Sequence, residues 1–313
     1  MNTENFISYL QSNNLAQSTQ NAYLKNLNLF LKWIEKEAEQ TTKKDVLKYL
    51  EYLQTTKSQG NITRRNSLIA INHYFTHLHK AERIATNPAA LIKIRGTKKR
   101  SLYRTYTPEE LEQLNDNYYE LFVRNYDNKH IPKNQRQNSF LCRNRNAAIL
   151  SLLIYQGLKT GDINKMFLED IDLTKATIKI KGSKKSNPRT LPLKATQIGL
   201  LIHYLNEIRP LFFNYCTETD KLFFALPASG KKSTNSQNLM YVFKPLTKQV
   251  KTIDRHFLNF QQVRASVITA WLKTEGLRKA QHLAGHRNIN STEEYLPNQI
   301  EGLTEDISKF NPF

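Results

Sequence analysis

The segment AGHRNINSTEEYL, residues 284–296, separates a histidine from a tyrosine by nine positions. A tyrosine hydroxyl has a pKa of about 10, so Tyr295 is a weak nucleophile at pH 7 unless its surroundings take its proton and stabilise negative charge. Cationic donors such as His286 could supply that stabilisation if they lay nearby. Taken alone, a packing role on a helix is the simpler interpretation of Tyr295, so the rest of the chain must decide.

The charge of the chain points to a polyanionic partner. Lysine and arginine number 46 against 27 acidic residues, a formal net charge of +19. Nucleic acid is therefore the leading partner, and a membrane surface is the weaker alternative. The apolar run at 147–155 is too short to cross a bilayer, and the start MNTENF has no signal-peptide pattern. We expect a cytoplasmic, nucleoid-associated protein without a membrane partner.

The sequence does not predict a metal site or a disulfide framework. Cys142 and Cys216 lie far apart and have no ligand-like spacing. His73 and His77 are separated by one helical turn, but no third ligand lies at a useful distance along the chain. The length of 313 residues is sufficient for two domains with separate cores.

Residues 1–91 have the periodicity of a helical domain. In the segment from Ser18, a candidate cap, one apolar stripe contains Tyr23, Leu27, Phe30 and Ile34. The next amphipathic segment has apolar residues at Val46, Leu47, Leu50 and Leu53. A third helix carries Arg64 and Arg65 at its leading edge, where they could contact DNA phosphates or form ordinary charged surface.

A basic linker, residues 92–104, follows this domain. Its lysines and arginines include Lys98, Lys99 and Arg100, which predict contact with a phosphate backbone, although a solvated basic loop would have the same composition. The second domain, residues 105–313, then begins at a capping box. Thr107 is the cap, Pro108 occupies the first helical position, and Glu110 completes the box.

The second domain is predicted to mix helices with a small sheet. Residues 174–193, TKATIKIKGSKKSNPRTLPL, have the pattern of two strands joined by a basic turn. A helix is expected over CRNRNAAILSLLIYQGL, and further helices follow the hairpin. The stretch 115–140 is rich in asparagine and tyrosine and is interpreted as an irregular insertion.

Several motifs occur in a characteristic order: YQGLKTGDI, the basic hairpin, QQVRAS and AGHRNINSTEEY. This series, behind a helical domain and a basic linker, resembles the tyrosine recombinase family, the integrases of phages and mobile elements together with Cre and Xer. The resemblance implies a mainly α fold with a small β-sheet, in which a helical core-binding domain precedes an α+β catalytic domain. It also implies that the two domains close around a DNA duplex.

The resemblance implies that a tyrosine oxygen attacks a DNA phosphodiester without a metal or nucleotide cofactor. In this reaction Tyr295 would form a 3′-phosphotyrosyl link, while His286 and Arg264 would bind the nonbridging phosphate oxygens. Lys184 matches the lysine that protonates the departing 5′-oxygen, with Lys181 and Lys185 as alternative registers. Asp162 matches the acidic residue of the family that supports the site.

Two positions depart from the family pattern. The sequence has Lys159 where the family has its first arginine, and Gln261 where a histidine precedes the second arginine by three residues. Lysine keeps the charge but loses bidentate geometry, and losing one preorganised donor costs roughly 3 to 4 kcal/mol in the transition state. Both residues remain candidates for contact with the DNA phosphate.

The residues after Tyr295 contain a further stripe, at Ile300, Leu303, Ile307 and Phe310. It predicts either a helix packed on its own domain or, by resemblance, a segment that docks into a neighbouring protomer of a homotetramer on synapsed DNA. Accessory DNA-bending proteins are further expected partners of a recombinase of this kind.

The function predicted from these residues is site-specific DNA recombination or integration for a mobile element. The alternative is a catalytically impaired DNA-binding protein that keeps the fold, motivated by Lys159 and Gln261. A relaxing activity like that of type IB topoisomerases is a lesser alternative, distinguished by the absence of a preferred DNA sequence.

Overall fold

The fold was taken from a computed structural model of the 313-residue chain. The described residues are 3–96, 104–184, 186–226 and 239–296. The chain divides into two compact units, with the boundary between residues 101 and 102.

Some predicted residues fall outside the described residues. They are the linker residues Lys98, Lys99 and Arg100, the turn residue Lys185, and the C-terminal stripe that begins at Ile300.

The described part of the first unit is a helical bundle. Its α-helices are α1 (Thr3–Ser12), α2 (Gln17–Ile34), α3 (Lys43–Thr55) and α4 (Asn61–Lys80). In α2, Leu27 and Phe30 are buried while Tyr23 and Ile34 pack at the edge of the same core. The predicted stripe is therefore the face that the helix buries.

Two details of the helical prediction were wrong. Helix α2 begins one residue before Ser18 and follows Ala16, which makes no side-chain cap hydrogen bond. In α3, Val46, Leu50 and Leu53 are buried, but Leu47 is 47% exposed. Residues at i, i+4 and i+7 share one helical face, whereas Leu47 lies about 100° away from Val46 around the axis.

The second unit contains helices and a three-stranded sheet. Its α-helices are α5 (Pro108–Tyr119), α6 (Lys133–Tyr155), α7 (Thr160–Ile163), α8 (Ala195–His203), α9 (Arg209–Phe212), α10 (Met240–Ile253), α11 (Phe260–Ala284) and α12 (Asn290–Glu293). The predicted capping box of α5 is confirmed, since the backbone N–H of Glu110 donates to Thr107 Oγ1 and that of Thr107 to Glu110 Oε2. Helix α11 is kinked at Gly276.

The predicted hairpin forms two strands of an antiparallel sheet. The strands are β1 (Ile171–Asp172), β2 (Thr177–Ile180) and β3 (Arg189–Pro192), in the order β1-β2-β3. Ile178 pairs with Leu191, and both are buried in the main core of this unit. Ile180 pairs with Arg189, so the basic turn begins directly beyond this pair.

The interpretation of residues 115–140 as irregular was wrong for most of that stretch. Helix α5 runs to Tyr119, a π-helical segment covers 120–124, and α6 begins at 133. The rings of Tyr118, Phe122 and Tyr126 stack at successive centroid distances of 5.1 and 6.0 Å. These aromatic residues recur every four positions, and their packing outweighs the low helix propensity of the intervening asparagines.

Among the described residues, no helix has the length and apolar character required to span a membrane. The core of the second unit lies between α6, α11 and the sheet, and includes Ile149, Leu153, Val263 and Val267. These elements carry the residues of the candidate site.

Candidate active site

Arg264 is the buried centre of the site. It lies in the first half of α11 and is 5% exposed. Its Nη1 donates to the carbonyl of Gly157 at 2.5 Å, and its Nη2 donates to the carbonyl of Ala284 at 2.8 Å. Burial lowers the pKa of the guanidinium to about 10, while the nearby Tyr295 opposes that shift. Arg264 therefore stays charged at neutral pH and joins the end of α6 to the end of α11.

The structure brings His286 directly against this guanidinium. His286 Nε2 lies 3.1 Å from Arg264 Nη2, and Nδ1 lies 3.0 Å from the hydroxyl of Thr292. The ring is buried, so both nitrogens meet protein groups rather than bulk water. A histidine with a polar partner at each nitrogen has a defined orientation.

The glycine before this histidine is required by two independent features. Gly285 ends α11 with a φ of 68°, a left-handed conformation that glycine adopts readily. A Cβ at this position would lie 2.5 Å from Nη1 of Arg189. The Gly-His pair therefore turns the chain sharply and lets a buried arginine pack beneath His286.

Tyr295 combines a packing position on α11 with a position beside the Arg264 guanidinium. It is 5% exposed and packs on Ile268 and Leu272 of α11. Its ring lies nearly parallel to that of His286, with centroids 6.0 Å apart and an interplanar angle of 12°. Its hydroxyl interacts electrostatically with the Arg264 guanidinium. The structure thus unites Tyr295, His286 and Arg264.

The basic hairpin turn is attached to the same place. Ser183 and Ser186 exchange backbone hydrogen bonds of 2.8 and 3.3 Å across the turn, and Ser186 forms a β-bridge with His286. The N–H of Asn187 donates to the carbonyl of Gly285 at 3.0 Å. Lys184 is exposed at the tip of this turn. The turn therefore carries Lys184 to the edge of the His286 site.

The neighbouring Lys181 has different partners. Its Nζ lies 2.7 Å from Glu169 Oε1 and 3.6 Å from Asp170 Oδ1, and it also sits over the ring of Phe167. These contacts hold the Lys181 ammonium beside two carboxylates and an aromatic ring. Of the two described lysines of the register, Lys184 lies between Ser183 and Ser186, the residue that bridges to His286. Its role as proton donor stays a prediction.

Asp162 lies beneath the turn and holds two groups. Its Oδ2 accepts a hydrogen bond from the backbone N–H of Lys159 at 3.2 Å and from Arg189 Nη2 at 3.3 Å. The side chain of Arg189 is 1% exposed, and burial lowers the pKa of its guanidinium against the opposing effect of Asp162. Asp162 therefore joins α7 to β3, the strand that follows the turn.

The two positions that depart from the family pattern are both exposed. Lys159 lines a cavity of about 200 Å³ between α7 and the hairpin, together with Lys165 and Lys179. The backbone N–H of Gln261 donates to Asn259 Oδ1 at 2.9 Å in the first turn of α11. Neither side chain belongs to the buried set of Arg264, His286 and Tyr295.

The family model of the phage integrase family matches residues 122–301, more than half of the chain, and includes every one of these site residues. The chain belongs to the phage integrase family. A second model, the SAM-like N-terminal domain of phage integrases, matches residues 3–84. The resemblance to tyrosine recombinases inferred from the motifs is thereby confirmed.

The chain is similar over almost its whole length to known recombinases, both in sequence and in structure. The tyrosine recombinase XerC of Natranaerobius thermophilus is 26% identical over 321 residues, covering 98% of this chain and 97% of the relative. The XerH site-specific recombinase, in a post-cleavage complex with palindromic difH substrate, aligns with a TM-score of 0.66 at 20% identity, covering 94% of this chain and 80% of that one.

A lambda integrase tetramer bound to a Holliday junction aligns with a TM-score of 0.58 at 15% identity, covering 94% of this chain and 75% of that one. Identities this low establish the fold alone. The mainly α fold with a small sheet, predicted for a tyrosine recombinase, is confirmed by these structures.

In the integrase SAM-like domain, the two predicted phosphate contacts have different environments. Arg64 is half-buried, and its Nε donates to the carbonyl of Leu50 at 3.1 Å while its Nη1 donates to Asn61 Oδ1 at 3.2 Å. Arg64 therefore fastens α3 to α4 in this structure. Arg65 is exposed, and its contact with a DNA phosphate stays a prediction.

Two residues of the integrase site escaped prediction from sequence. Arg189 was not among the residues predicted for the site, yet it is the buried partner of Asp162. Thr292 was likewise not predicted, yet it is fully buried against His286. Neither the spacing of Arg189 from Asp162 nor that of Thr292 from His286 is typical of a contact within a helix or a hairpin. The sequence did offer one indication, because Thr292 is a polar residue three positions, or about one helical turn, before Tyr295.

Proposed function

We propose that the chain is a site-specific DNA recombinase that cuts and rejoins strands through a 3′-phosphotyrosyl link at Tyr295. The juxtaposition of Tyr295 with Arg264 and His286, in a chain of the phage integrase family, carries this proposal. A phosphodiester under attack gains negative charge on its nonbridging oxygens. Arg264 and His286 supply donors where that charge develops.

The roles of the groups follow from their chemistry. The Tyr295 hydroxyl gives its proton to solvent, and the adjacent Arg264 guanidinium stabilises the negative charge that forms on the oxygen. This oxygen attacks phosphorus, and the bond to the 5′-oxygen breaks as the bond to tyrosine forms. Lys184 donates a proton to the departing oxygen and leaves a free 5′-hydroxyl. The reverse attack by a 5′-hydroxyl rejoins the strand and releases Tyr295. The phosphotyrosine link conserves one phosphodiester bond throughout, so the reaction as proposed uses neither a metal nor a nucleotide.

Asp162 and Arg189 support this chemistry from below. Their buried ion pair joins the hairpin to α7, and Arg189 packs against the glycine that precedes His286. Breaking a buried pair leaves an uncompensated charge, which is strongly destabilising. The pair therefore holds the Lys184 turn and the His286 turn in a fixed relation.

The proposed partners are a DNA duplex with a specific recombination site, further copies of the chain in a homotetramer on synapsed DNA, and accessory DNA-bending proteins. The formal net charge of +19 supports a DNA partner, and the lambda integrase tetramer supports assembly on DNA. We further propose that the recombinase serves a mobile element and acts in the cytoplasm on nucleoid DNA.

Capture of the covalent intermediate tests the proposal. The chain would be expressed in cells that carry the DNA flanking its gene. The cells would be lysed under rapidly denaturing conditions, and any DNA covalently attached to the protein would be sequenced. Discrete fragments above the background of a Tyr295→Phe variant would establish strand cleavage and reveal the site. Fragments without a preferred sequence would instead indicate a relaxing activity of topoisomerase type.

A second candidate function is that of an impaired DNA-binding protein with the recombinase fold. The lysine at 159 and the glutamine at 261 favour it, because neither residue reproduces the group that it replaces. Tight DNA binding with no covalent adduct in the capture experiment would support this candidate over the recombinase.

Lys159→Arg tests whether the lysine is a weakened substitute for arginine. A guanidinium can bind two phosphate oxygens where an ammonium binds as a point charge, so the variant should cut DNA about 10- to 100-fold faster. Single-turnover cleavage rates measure this, with Lys165→Arg in the same cavity as the matched control. An unchanged or slower rate for Lys159→Arg would indicate a site rebuilt around lysine.

Lys184→Ala should slow cleavage by about 10²- to 10⁴-fold, the usual contribution of a positioned acid. A substrate with sulfur in place of the bridging 5′-oxygen should recover most of that loss, because a thiolate leaves without being protonated. Lys181→Ala is the matched control and should cut normally, since its partners are Glu169 and Asp170. The assignment is wrong if Lys181→Ala, rather than Lys184→Ala, is rescued by sulfur.

A further inference from the structure

A buried chain of hydrogen bonds runs from Arg264 through His286 to Thr292. His286 Nε2 lies 3.1 Å from Arg264 Nη2, and His286 Nδ1 lies 3.0 Å from Thr292 Oγ1. Thr292 is 0% exposed, so its hydroxyl is shielded from bulk water. Its backbone carbonyl also accepts from the N–H of Tyr295 at 3.0 Å. One residue therefore contacts both the histidine and the proposed nucleophile.

The direction of each hydrogen bond follows from the donors available. A guanidinium carries only donors, so Nε2 of His286 must accept the hydrogen bond from Arg264. The neutral ring then carries its proton on Nδ1, which donates to Thr292 Oγ1. This arrangement of donors thus holds the His286 tautomer that cannot donate from Nε2.

The proposed reaction requires the opposite arrangement. To bind a nonbridging phosphate oxygen, Nε2 must carry a proton and donate it in a hydrogen bond. For a neutral ring, Nδ1 must then become an acceptor. The group facing Nδ1 has to accept while Arg264 donates to Nε2, and has to donate once Nε2 donates to a phosphate oxygen.

We propose that Thr292 is a positioning residue that permits this reversal, an inference that rests on the proposed recombinase function. A hydroxyl has one donor hydrogen and two acceptor lone pairs, and it can rotate to suit its partner. On DNA binding the ring takes up a proton at Nε2 and gives up the one at Nδ1, both by exchange with solvent while the site is transiently open, so the charge of the ring is unchanged. The Thr292 hydroxyl then turns from accepting to donating, and His286 stays in place beside Tyr295.

The resting tautomer is tested directly by nuclear magnetic resonance of the DNA-free chain with ¹⁵N-labelled histidine. The His286 signals would be assigned by their loss in a His286→Gln variant. Coupling patterns should place the proton on Nδ1. A ring with its proton on Nε2 in the DNA-free protein would overturn the inference, because two donors would then face each other across the Arg264 contact.

The role of the hydroxyl is tested by Thr292→Val and Thr292→Ser. Valine keeps the shape but offers Nδ1 no partner, so cleavage should fall about 10- to 100-fold, the loss expected when one buried polar group is left unsatisfied. Serine keeps the hydroxyl and should remain within about 3-fold of the wild type. The free energy of unfolding and the DNA affinity would be measured beside the rates.

Each outcome of this comparison decides something. Normal cleavage by Thr292→Val, or equal losses in folded Val and Ser variants, would overturn the positioning role. If Thr292→Val does not fold, rescue by serine and the histidine spectra still test the inference. If the wild type forms no covalent adduct at all, the recombinase proposal fails, and the assigned tautomer is judged separately from the spectra.

Discussion

Replacing Tyr295 by phenylalanine should abolish the covalent DNA adduct while leaving the fold and the DNA affinity close to those of the wild type. The hydroxyl oxygen is the proposed nucleophile, and no other atom of the ring can form the phosphotyrosyl link. The ring packs on Ile268 and Leu272 and lies parallel to His286, and phenylalanine keeps both contacts. The free energy of unfolding should fall by about 1 to 3 kcal/mol, because the buried Arg264 loses the Tyr295 hydroxyl as a partner.

Tyr204→Phe provides a matched control in the same unit. The Tyr204 hydroxyl is buried and donates to the carbonyl of Leu222 at 2.9 Å, away from the residues of the site. This variant should lose about 1 to 3 kcal/mol of stability and still form the adduct at temperatures where it is folded. An adduct formed by a folded Tyr295→Phe protein would show that another residue is the nucleophile.

Replacing Arg264 by lysine should reduce cleavage by about 10³-fold or more, the loss associated with a missing preorganised donor and lost bidentate geometry. Burial lowers the pKa of Arg264 to about 10, so the native guanidinium is charged at neutral pH. Lysine can also carry a charge, and the expected loss therefore measures geometry. A single ammonium cannot reach the Gly157 carbonyl, the Ala284 carbonyl and a phosphate together.

The same substitution should lower the free energy of unfolding by roughly 1 to 3 kcal/mol, because a buried carbonyl loses its donor. Arg278→Lys is the matched control, since Arg278 is exposed on the later part of α11. Rates, unfolding and DNA binding would be compared for both variants. Cleavage by Arg264→Lys within tenfold of the wild type would contradict a central role for the guanidinium fork.

Local patterns predicted the parts of the fold that depend on neighbours along the chain. The capping box at Thr107 formed because both of its hydrogen bonds lie within one helical turn. The hairpin formed because a short polar turn holds two strands of alternating pattern close enough to pair. The Ser18 cap failed because the helix begins at Gln17, two residues earlier than a cap at Ser18 requires, and cap geometry depends on a single position.

Other features depended on contacts that local patterns do not encode. Leu47 is as apolar as its neighbours but points away from the bundle. The aromatic packing of Tyr118, Phe122 and Tyr126 made a helix and a π-helical segment from a stretch whose composition favoured a loop. Propensity is a weak signal, and tertiary packing decides such cases.

By itself, the sequence determined the family, the order of the motifs, and the spacing that joins His286 to Tyr295. These are properties of residue type and separation along one chain. Only the tertiary structure decided which polar groups meet inside the core. Arg264 takes partners from the ends of two different helices, and Asp162 finds Arg189 across 27 positions. Each of those contacts stabilises the folded state, because a buried polar group that has lost its hydrogen bonds to water must form them within the protein.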